Sequence, residues 1–352
     1  MKINKILIAV LFIVSMLKIS VAQTDTVKAK VLADSVPTAE KYYNKGIEMF
    51  KNKNFNEALV NFNKALSMNP TFERAYYNRG ATYFELKDYE RAISDYNDAL
   101  VLVKNPDTYF TRAQAEYMIG QKTLAMADYT KTIEIKTDYA QAYYYRGGIK
   151  FEQGNYKDAI ADYTTALQHK PDYGYAFNDR GSAKRELGDM EGALTDYKLA
   201  LNTNRDMPFA YCNLGSVKRK NHEYIAAISF YTDAIEHKKD YYIAYNNRGS
   251  TKYDNGDYEG AIEDYTAALK IKSNYEYALN NRAAAKFKLK DYNGCVADCS
   301  AAIALNPKYG YAYLNRGNAK EMLRDEDGAC ADWKKAIELG IEIAKSYIVY
   351  CK

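Results

Sequence analysis

The sequence predicts an all-α protein in which one short unit is repeated along the chain to form an α-solenoid. A five-residue motif returns with little change within the 352 residues, as YYNRG, YYYRG, YNNRG and YLNRG. Its period of 34 residues lies within the range of repeat architectures. The spacing around the motif is also helical, because members of one face lie three or four residues apart: Tyr76, Arg79, Gly80 and Tyr83.

Three columns of residues recur once in every unit. The first is a small residue at the end of the motif, with one interval of 33 residues and otherwise of 34: Gly46, Gly80, Ala113, Gly147, Gly181, Gly215, Gly249, Ala283 and Gly317. The second lies sixteen residues further on and is mostly aromatic: Phe62, Tyr96, Tyr129, Tyr163, Tyr197, Tyr231, Tyr265, Cys299 and Trp333. The third is again small: Ala58, Ala92, Ala125, Ala159, Ala193, Ala227, Ala261, Cys295 and Ala329. Two small columns predict two helices whose backbones approach closely.

A turn separates the first column from the third. In three of the units this turn contains a glycine followed by Asn or Asp: Gly154-Asn155, Gly188-Asp189 and Gly256-Asp257. Glycine favours the left-handed backbone that ends a helix, and Asn or Asp caps the start of the next helix. Each unit is therefore predicted to be a first helix, a turn and a second helix, which we name helix A and helix B.

The columns resemble the tetratricopeptide repeat, whose 34-residue pattern places Leu-Gly in helix A, Ala and an aromatic residue in helix B, and Pro at the end. Proline closes some units here, at Pro70, Pro171 and Pro307. The resemblance covers nine units: 39–72, 73–105, 106–139, 140–173, 174–207, 208–241, 242–275, 276–309 and 310–343. It implies a right-handed solenoid of antiparallel helix pairs in which the A helices line the concave face, the usual binding surface.

The two ends of the chain differ from the repeats. Residues 1–22 combine a basic start with a 12-residue apolar run and end in Ser-Val-Ala before Gln23. This is the pattern of a secretory signal peptide cleaved before Gln23, and the run is too short to favour the alternative, an uncleaved anchor. The Lys-, Asn- and Tyr-rich composition indicates a bacterial protein, periplasmic or secreted, with no membrane insertion after cleavage. Residues 23–38 are predicted to be a flexible lead-in and 344–352 a C-terminal capping helix.

Composition argues against two classes of site. The leader holds three of the 49 Lys and Arg residues and none of the 45 acidic ones, so the rest of the chain is nearly neutral, and no nucleic-acid partner is expected. Cys295 and Cys299 share a helix face and could bind a metal. Since none of the three histidines lies near them in sequence, we favour packing in a helical core and expect no metal and no cofactor.

An arginine column replaces the leucine of the family pattern. Seven units have it, and the same seven have an aspartate sixteen residues later: Arg79 and Asp95, Arg112 and Asp128, Arg146 and Asp162, Arg180 and Asp196, Arg248 and Asp264, Arg282 and Asp298, Arg316 and Asp332. The sixth unit has Leu214 and Phe230 instead. Because an apolar pair can replace a buried ion pair of similar volume, this co-occurrence predicts a structural ion pair between helices A and B of each unit.

A lysine column lies four residues after the arginine, on the same helix face. Its members are Lys150, Lys184, Lys218, Lys252, Lys286 and Lys320. Such a row could bind an anionic ligand. The near-neutral charge and the aspartate column favour the other interpretation, neutralisation within the array.

The remaining face of the A helices carries the candidate binding site. Asparagine recurs just before the arginine, and Tyr or Asn stands one position earlier. From these two columns we predict the groove residues Asn44, Tyr77, Asn78, Tyr144, Asn213, Asn246, Asn247, Asn280, Asn281 and Asn315. An Asn amide can pair with any peptide backbone, and Tyr offers rigid area with a polar tip. The column is similar to the asparagine ladder in the repeat region of O-linked N-acetylglucosamine transferase, which holds extended polypeptide. The alternative is that Asn is merely tolerated on an exposed face.

No catalytic residue is predicted, because the histidines have no Ser or Cys at a spacing typical of a nucleophile pair and no phosphate-binding glycine motif occurs. The lysine that a co-chaperone carboxylate clamp requires is also missing, since Tyr43 and Asn246 occupy its place. The sequence therefore predicts a non-enzymatic scaffold that binds a protein or extended peptide in the concave groove. The alternative is a structural component that forms homo-oligomers end to end through its apolar tail, where Tyr347, Ile348 and Tyr350 lie.

Overall fold

The computed structural model describes residues 38–351, which form eighteen α-helices and two short 3-10 helices. The α-helices are α1 (Ala39–Lys51), α2 (Phe55–Met68), α3 (Glu73–Glu85), α4 (Tyr89–Leu102), α5 (Pro106–Met118), α6 (Lys122–Ile135), α7 (Ala140–Glu152), α8 (Tyr156–His169), α9 (Gly174–Glu186), α10 (Met190–Thr203), α11 (Pro208–Lys220), α12 (Tyr224–His237), α13 (Tyr242–Asp254), α14 (Tyr258–Ile271), α15 (Glu276–Lys288), α16 (Tyr292–Leu305), α17 (Gly310–Met322) and α18 (Glu326–Glu338). The 3-10 helices are Glu342–Ser346 and Ile348–Tyr350. The predicted leader 1–22 and the lead-in 23–38, except its last residue, lie outside the described residues.

The helices form consecutive pairs, in which odd-numbered helices are helix A and even-numbered helices are helix B. This arrangement confirms the predicted all-α solenoid of helix-turn-helix repeats. The helices divide into two compact units, α1–α9 and α10–α18, with the boundary after Leu187 in the fifth repeat. No helix within residues 38–351 has the length and apolar character needed to cross a membrane.

The A helices lie on the inner side of each unit. In the first unit α1 touches α3, α3 touches α5 and α7 touches α9; in the second, α11, α13, α15 and α17 touch in turn. No comparable contact joins successive B helices within the described residues. Because the A helices are the more closely spaced, each unit curves with its A helices inside, and we call this surface the A-helix face.

The turns between helices A and B have the predicted geometry. Gly154 and Gly256 have φ angles of +81° and +86°, the left-handed region in which glycine carries no steric penalty. Asp257 then caps helix α14, since its carboxylate accepts a hydrogen bond from the Gly260 N–H at 2.9 Å. Asn155, by contrast, makes no side-chain cap bond.

The core of each repeat is a large helix-B side chain packed against small residues. A Cβ atom added at Gly80 would lie only 2.9 Å from the Tyr96 ring, so helix A needs glycine at this close approach. Ala92 is fully buried beside it. The members of the aromatic column are all at most 2% exposed: Phe62, Tyr96, Tyr129, Tyr163, Tyr197, Tyr231, Tyr265, Cys299 and Trp333.

The C-terminal end differs from the prediction. Within the described residues, the predicted capping helix is replaced by the two 3-10 helices, Glu342–Ser346 and Ile348–Tyr350. Cys351 forms a disulfide with Cys330 of α18, with a Cα–Cα distance of 5.7 Å, and the ring of Tyr347 stacks on Trp333 at a centroid distance of 5.3 Å. The chain must turn back to bring Cys351 to α18, so it cannot continue as a straight helix.

Candidate functional site

Six of the seven predicted Arg–Asp pairs are present within the two units. In each pair, Nε and Nη2 of the arginine donate to the two carboxylate oxygens at 2.6–2.9 Å, a bidentate geometry. These pairs are Arg79–Asp95, Arg112–Asp128, Arg146–Asp162, Arg248–Asp264, Arg282–Asp298 and Arg316–Asp332. Arg180 and Asp196 belong to different units, and their pairing stays a prediction.

Each arginine also reaches the preceding repeat, a contact that sequence reasoning missed. Its Nη1 donates at 2.6–3.2 Å to a side-chain oxygen on the preceding helix B, and the acceptors are Asn63, Asn97, Thr130, Thr164, Thr232, Thr266 and Ser300. The signal in the sequence was a polar residue directly after the aromatic column. In the six repeats with an observed Arg–Asp pair, one arginine therefore joins helices A and B of its own repeat to the repeat before it.

The lysine column neutralises the same aspartates. Its Nζ atoms lie 2.7–3.1 Å from the carboxylates in four repeats, as Lys150–Asp162, Lys252–Asp264, Lys286–Asp298 and Lys320–Asp332. These four lysines are engaged inside the protein and do not form an open row for an anion.

The sixth repeat shows how an apolar pair replaces this cluster. Leu214 is 1% exposed and packs in one cluster with Val217 and Phe230. Its column lysine, Lys218, pairs with Glu223 at 2.5 Å. The cluster of charges is therefore not required for a repeat to close.

Glu116 occupies the lysine position in the third repeat. Its Oε2 is buried and has no hydrogen-bond partner among the described residues, and Arg112 Nε lies 3.9 Å from its Oε1. Burial, followed by the charge of Asp128, raises the pKa of Glu116 to about 7. This repeat therefore buries an acid where other repeats carry a base.

Four of the ten predicted groove residues are buried instead of surface-exposed. Asn78, Tyr144, Asn246 and Asn280 are only 6–9% exposed. They lie on the flank of helix A that contacts neighbouring A helices, as when Asn78 Nδ2 donates to the Tyr43 hydroxyl at 3.1 Å. Asn44 is exposed, and the others are half-buried: Tyr77, Asn213, Asn247, Asn281 and Asn315.

Two of the half-buried asparagines are hydrogen-bonded to buried asparagines of the preceding repeat, and we call these the outer and the inner asparagines. Asn281 Nδ2 donates to Asn246 Oδ1 at 3.1 Å, and Asn315 Nδ2 donates to Asn280 Oδ1 at 2.9 Å. The Oδ1 atoms of Asn281 and Asn315 accept no hydrogen bond from the described part of the chain. Each inner asparagine thus orients an outer amide and leaves its carbonyl oxygen available as an acceptor.

An exposed tyrosine precedes each of these two asparagines by one helical turn, and sequence reasoning missed both. Tyr277 of α15 is 46% exposed and Tyr311 of α17 is 55% exposed. Each is four residues before Asn281 or Asn315, and therefore on the same helix face. The Tyr277 ring packs against Tyr309 at a centroid distance of 5.4 Å. We name Tyr277, Asn281, Tyr311 and Asn315 the Tyr-Asn patch.

Cys295 and Cys299 are fully buried in one hydrophobic cluster with Ala283 and Ala319, the packing that the sequence favoured. Within residues 38–351, no group of three or more His, Cys, Asp or Glu side chains is arranged to hold a metal ion.

Family models match four stretches of the chain. A model described as tetratricopeptide repeat matches residues 73–105 and 140–173, and a TPR repeat model matches 46–87 and 249–290. The chain belongs to the tetratricopeptide repeat (TPR) family. No curated protein sequence gives a significant match to this TPR protein.

Solved structures share its fold. A TPR protein from Parabacteroides merdae matches 69% of this chain and 97% of its own at 19% identity, with a TM-score of 0.55. The Cut9–Hcn1 hetero-tetramer of APC/C matches 80% of this chain and 55% of that chain at 17% identity, with a TM-score of 0.58. YrrB, described as a TPR protein with an unusual peptide-binding site, matches 52% of this chain and 95% of its own at 23% identity, with a TM-score of 0.43. For the first two structures, the likeness at these identities concerns the fold alone.

Proposed function

We propose that this TPR protein is an exported, non-enzymatic scaffold that binds an extended segment of another protein on its A-helix face. The observation that carries the proposal is the Tyr-Asn patch of α15 and α17. It presents two exposed tyrosines and two oriented amide oxygens on adjacent A helices.

The chemistry of the patch suits an extended backbone. Asn281 Oδ1 and Asn315 Oδ1 can each accept a backbone N–H, which an extended segment leaves unpaired, and this pairing is independent of the partner's side chains. Tyr277 and Tyr311 add rigid contact area at a low cost in conformational entropy.

The test compares the patch with an exposed site on a B helix. A photo-cross-linking amino acid at Tyr277 should capture a protein from an envelope extract, whereas the same group at Ile225 of α12, which is 74% exposed, should not. For the captured protein, Tyr277→Ala with Tyr311→Ala should weaken binding by at least about tenfold, since a buried interface tyrosine commonly contributes more than 1 kcal/mol. Ile225→Ala is the matched control. Unchanged affinity in a double variant with native circular dichroism would exclude the patch as the binding site.

The Cys330–Cys351 disulfide supports the export part of the proposal, because disulfides form and persist in oxidising compartments. N-terminal sequencing of the exported protein should begin at Gln23. A sequence that begins at Met1 would contradict cleavage and favour an anchored form.

End-to-end self-association is the second candidate function. Ile343 and Val349, near the C-terminal end, are 60% and 77% exposed, which favours it. Ala344 is fully buried and Tyr347 packs on Trp333, so only part of the apolar tail is available. Light scattering after size-exclusion chromatography should show a concentration-dependent oligomer if this candidate holds, and a monomer at every concentration would reject it.

A further inference from the structure

A small cavity opens on the A-helix face of the first unit. Its volume is about 10 Å³, which accommodates the centre of one water-sized group. Its lining includes four tyrosines, a glycine and an acid: Tyr117, Tyr129, Tyr144, Tyr145, Gly148 and Asp179. Tyr145, Gly148 and Asp179 are half-buried, so the cavity reaches the surface between α5, α7 and α9.

Gly148 lines the cavity and contributes no side chain to fill it. In the sixth and seventh repeats the equivalent residue is a serine, whose hydroxyl lies 3.1 Å from the hydroxyl of the core tyrosine. Gly148 has no such group, and the Tyr163 hydroxyl is buried without a hydrogen-bond partner. A Cβ atom at Gly148 would lie 3.9 Å from that hydroxyl, so a serine would fit. The fourth repeat therefore lacks a side-chain contact that the sixth and seventh repeats have.

Asp179 supplies a carboxylate without a counter-ion. It occupies the asparagine column, accepts from the Tyr144 hydroxyl at 2.7 Å and from Asn178 Nδ2 at 2.9 Å, and pairs with no cation in residues 38–351. The surrounding protein desolvates the carboxyl and raises its pKa to about 6, so it is mainly ionised at neutral pH. An unpaired charge in such a place is costly, and a cation from outside would offset that cost.

A second acceptor in the cavity has no hydrogen-bond partner among the described residues. The Tyr129 hydroxyl is fully buried and has no hydrogen-bond partner among the described residues. Its ring stacks against Tyr145 at a centroid distance of 5.9 Å. Glu152, which accepts from the Tyr117 hydroxyl nearby, is already neutralised by Lys122 at 2.7 Å. The cavity thus offers one unused oxygen, that of Tyr129, and one carboxylate without a counter-ion, that of Asp179.

We propose that this cavity binds a primary ammonium group, that of a lysine side chain in the bound polypeptide. The ammonium group carries three donors and no acceptor, which suits a site of two acceptors, and aromatic faces attract cations. Its size matches the cavity, whereas a trimethylammonium or guanidinium group is larger than one water molecule. The inference rests on the proposed scaffold function and adds lysine recognition to it.

The test titrates the protein with n-butylammonium, a mimic of the lysine side chain, and follows the ring carbons of ¹³C-labelled tyrosine by NMR. A saturable shift of a few tyrosine signals is expected. Butyltrimethylammonium and butylguanidinium should bind at least tenfold more weakly. Equal shifts with all three cations would show that the cavity does not select a primary ammonium, and would overturn the proposal.

Three variants locate the site. Asp179→Asn, which restores the column residue of other repeats, should weaken binding at least tenfold. Asp158→Asn removes the same charge at an exposed position of α8 and should leave binding unchanged. Gly148→Ser should raise the melting temperature, because the serine can bond to Tyr163, and should weaken binding because it fills the cavity. Unchanged binding in Asp179→Asn or in Gly148→Ser would overturn the proposal, and the second variant keeps the test decisive if the first misfolds.

The failures of the two proposals are distinguishable. If n-butylammonium does not bind but the cross-linker at Tyr277 still captures a protein, lysine recognition alone is rejected. A failed cross-linking experiment would reject the scaffold whatever the ammonium titration shows, and with it the lysine side chain as the natural ligand.

Discussion

Replacing Arg248 with alanine removes the centre of one ion-pair cluster and leaves its acid in place. Arg248 donates to the two Asp264 oxygens at 2.9 and 2.7 Å and to Thr232 of the preceding repeat at 3.0 Å. Lys252 lies 3.1 Å from the same carboxylate, so Asp264 keeps one cation when Arg248 is lost. Asp264→Ala instead leaves Arg248 and Lys252 without their shared counter-ion.

The structure sets the expected size of each loss. Removing one partner of a buried pair costs about 3–5 kcal/mol, but the Arg248 side chain is 18% exposed, against 5% for Asp264. We therefore expect Arg248→Ala to lower the free energy of unfolding by about 2–3 kcal/mol and Asp264→Ala by about 3–4 kcal/mol. The double alanine variant should lose about 1–3 kcal/mol less than the sum of the two single losses. In the double variant neither Arg248 nor Asp264 is left behind without its partner.

The apolar replacement is the sharper comparison. Arg248→Leu with Asp264→Phe copies Leu214 and Phe230 of the sixth repeat, and it should cost less than either single alanine change. The free energy of unfolding of every variant is measured by urea unfolding followed by circular dichroism. The values can be compared only if the m-values are equal, because a repeat array need not unfold in one step.

The control is Arg74→Ala. Arg74 and Glu40 are 3.4 Å apart with side chains 54% and 63% exposed, so this change should cost less than about 1 kcal/mol. Additive losses at Arg248 and Asp264 would show that the pair is not energetically coupled, and the explanation of the sixth repeat would fail.

The remaining predictions concern Glu116 and the C-terminal disulfide. The folded protein binds the Glu116 proton more tightly than the unfolded chain does, so stability should fall as pH rises from about 4.5 to about 7, and Glu116→Gln should flatten that slope in urea unfolding across this range. Glu116→Lys should stabilise the protein by about 1–3 kcal/mol above about pH 7, because the lysine can pair with Asp128 as Lys150 does with Asp162; no gain would show that the third repeat cannot accept the pair. Cys351→Ser should lower stability by about 3 kcal/mol and red-shift the emission of Trp333, the single tryptophan, because the tail that covers it is released. An unchanged emission spectrum would mean that packing alone holds the tail.

The sequence predicted where asparagine recurs in the repeats, but not which of these asparagines are exposed. Asn280 and Asn281 are adjacent in sequence and therefore about 100° apart around the helix. One faces the next A helix and is buried, while the other is half-exposed. Changing Asn281 or Asn315 to alanine would also remove a bond between repeats. Tyr277 and Tyr311 are for that reason the cleaner positions at which to test binding.

The C-terminal end could not be derived from the sequence either. Five cysteines leave several pairings open, and only the packed structure brings Cys351 back to Cys330. Tyr347, expected at the free apolar surface, covers Trp333 for the same reason.

By itself the sequence determined the repeat period, the helix pairs and the Arg–Asp pairing. These features lie within one repeat, where a single short turn fixes which faces of the two helices meet. Each feature also recurs in most of the repeats, so the sequence shows it many times. Only the tertiary structure decided the contacts between repeats: the third arginine bond to Thr232 and its equivalents, the burial of Asn246 and Asn280, and the cavity beside Gly148. The physical reason is that such contacts join different repeats, with 16 residues between Arg248 and Thr232 and 35 between Asn246 and Asn281. Their geometry depends on how each helix is rotated against a helix of the neighbouring repeat, which the pattern within one repeat does not fix.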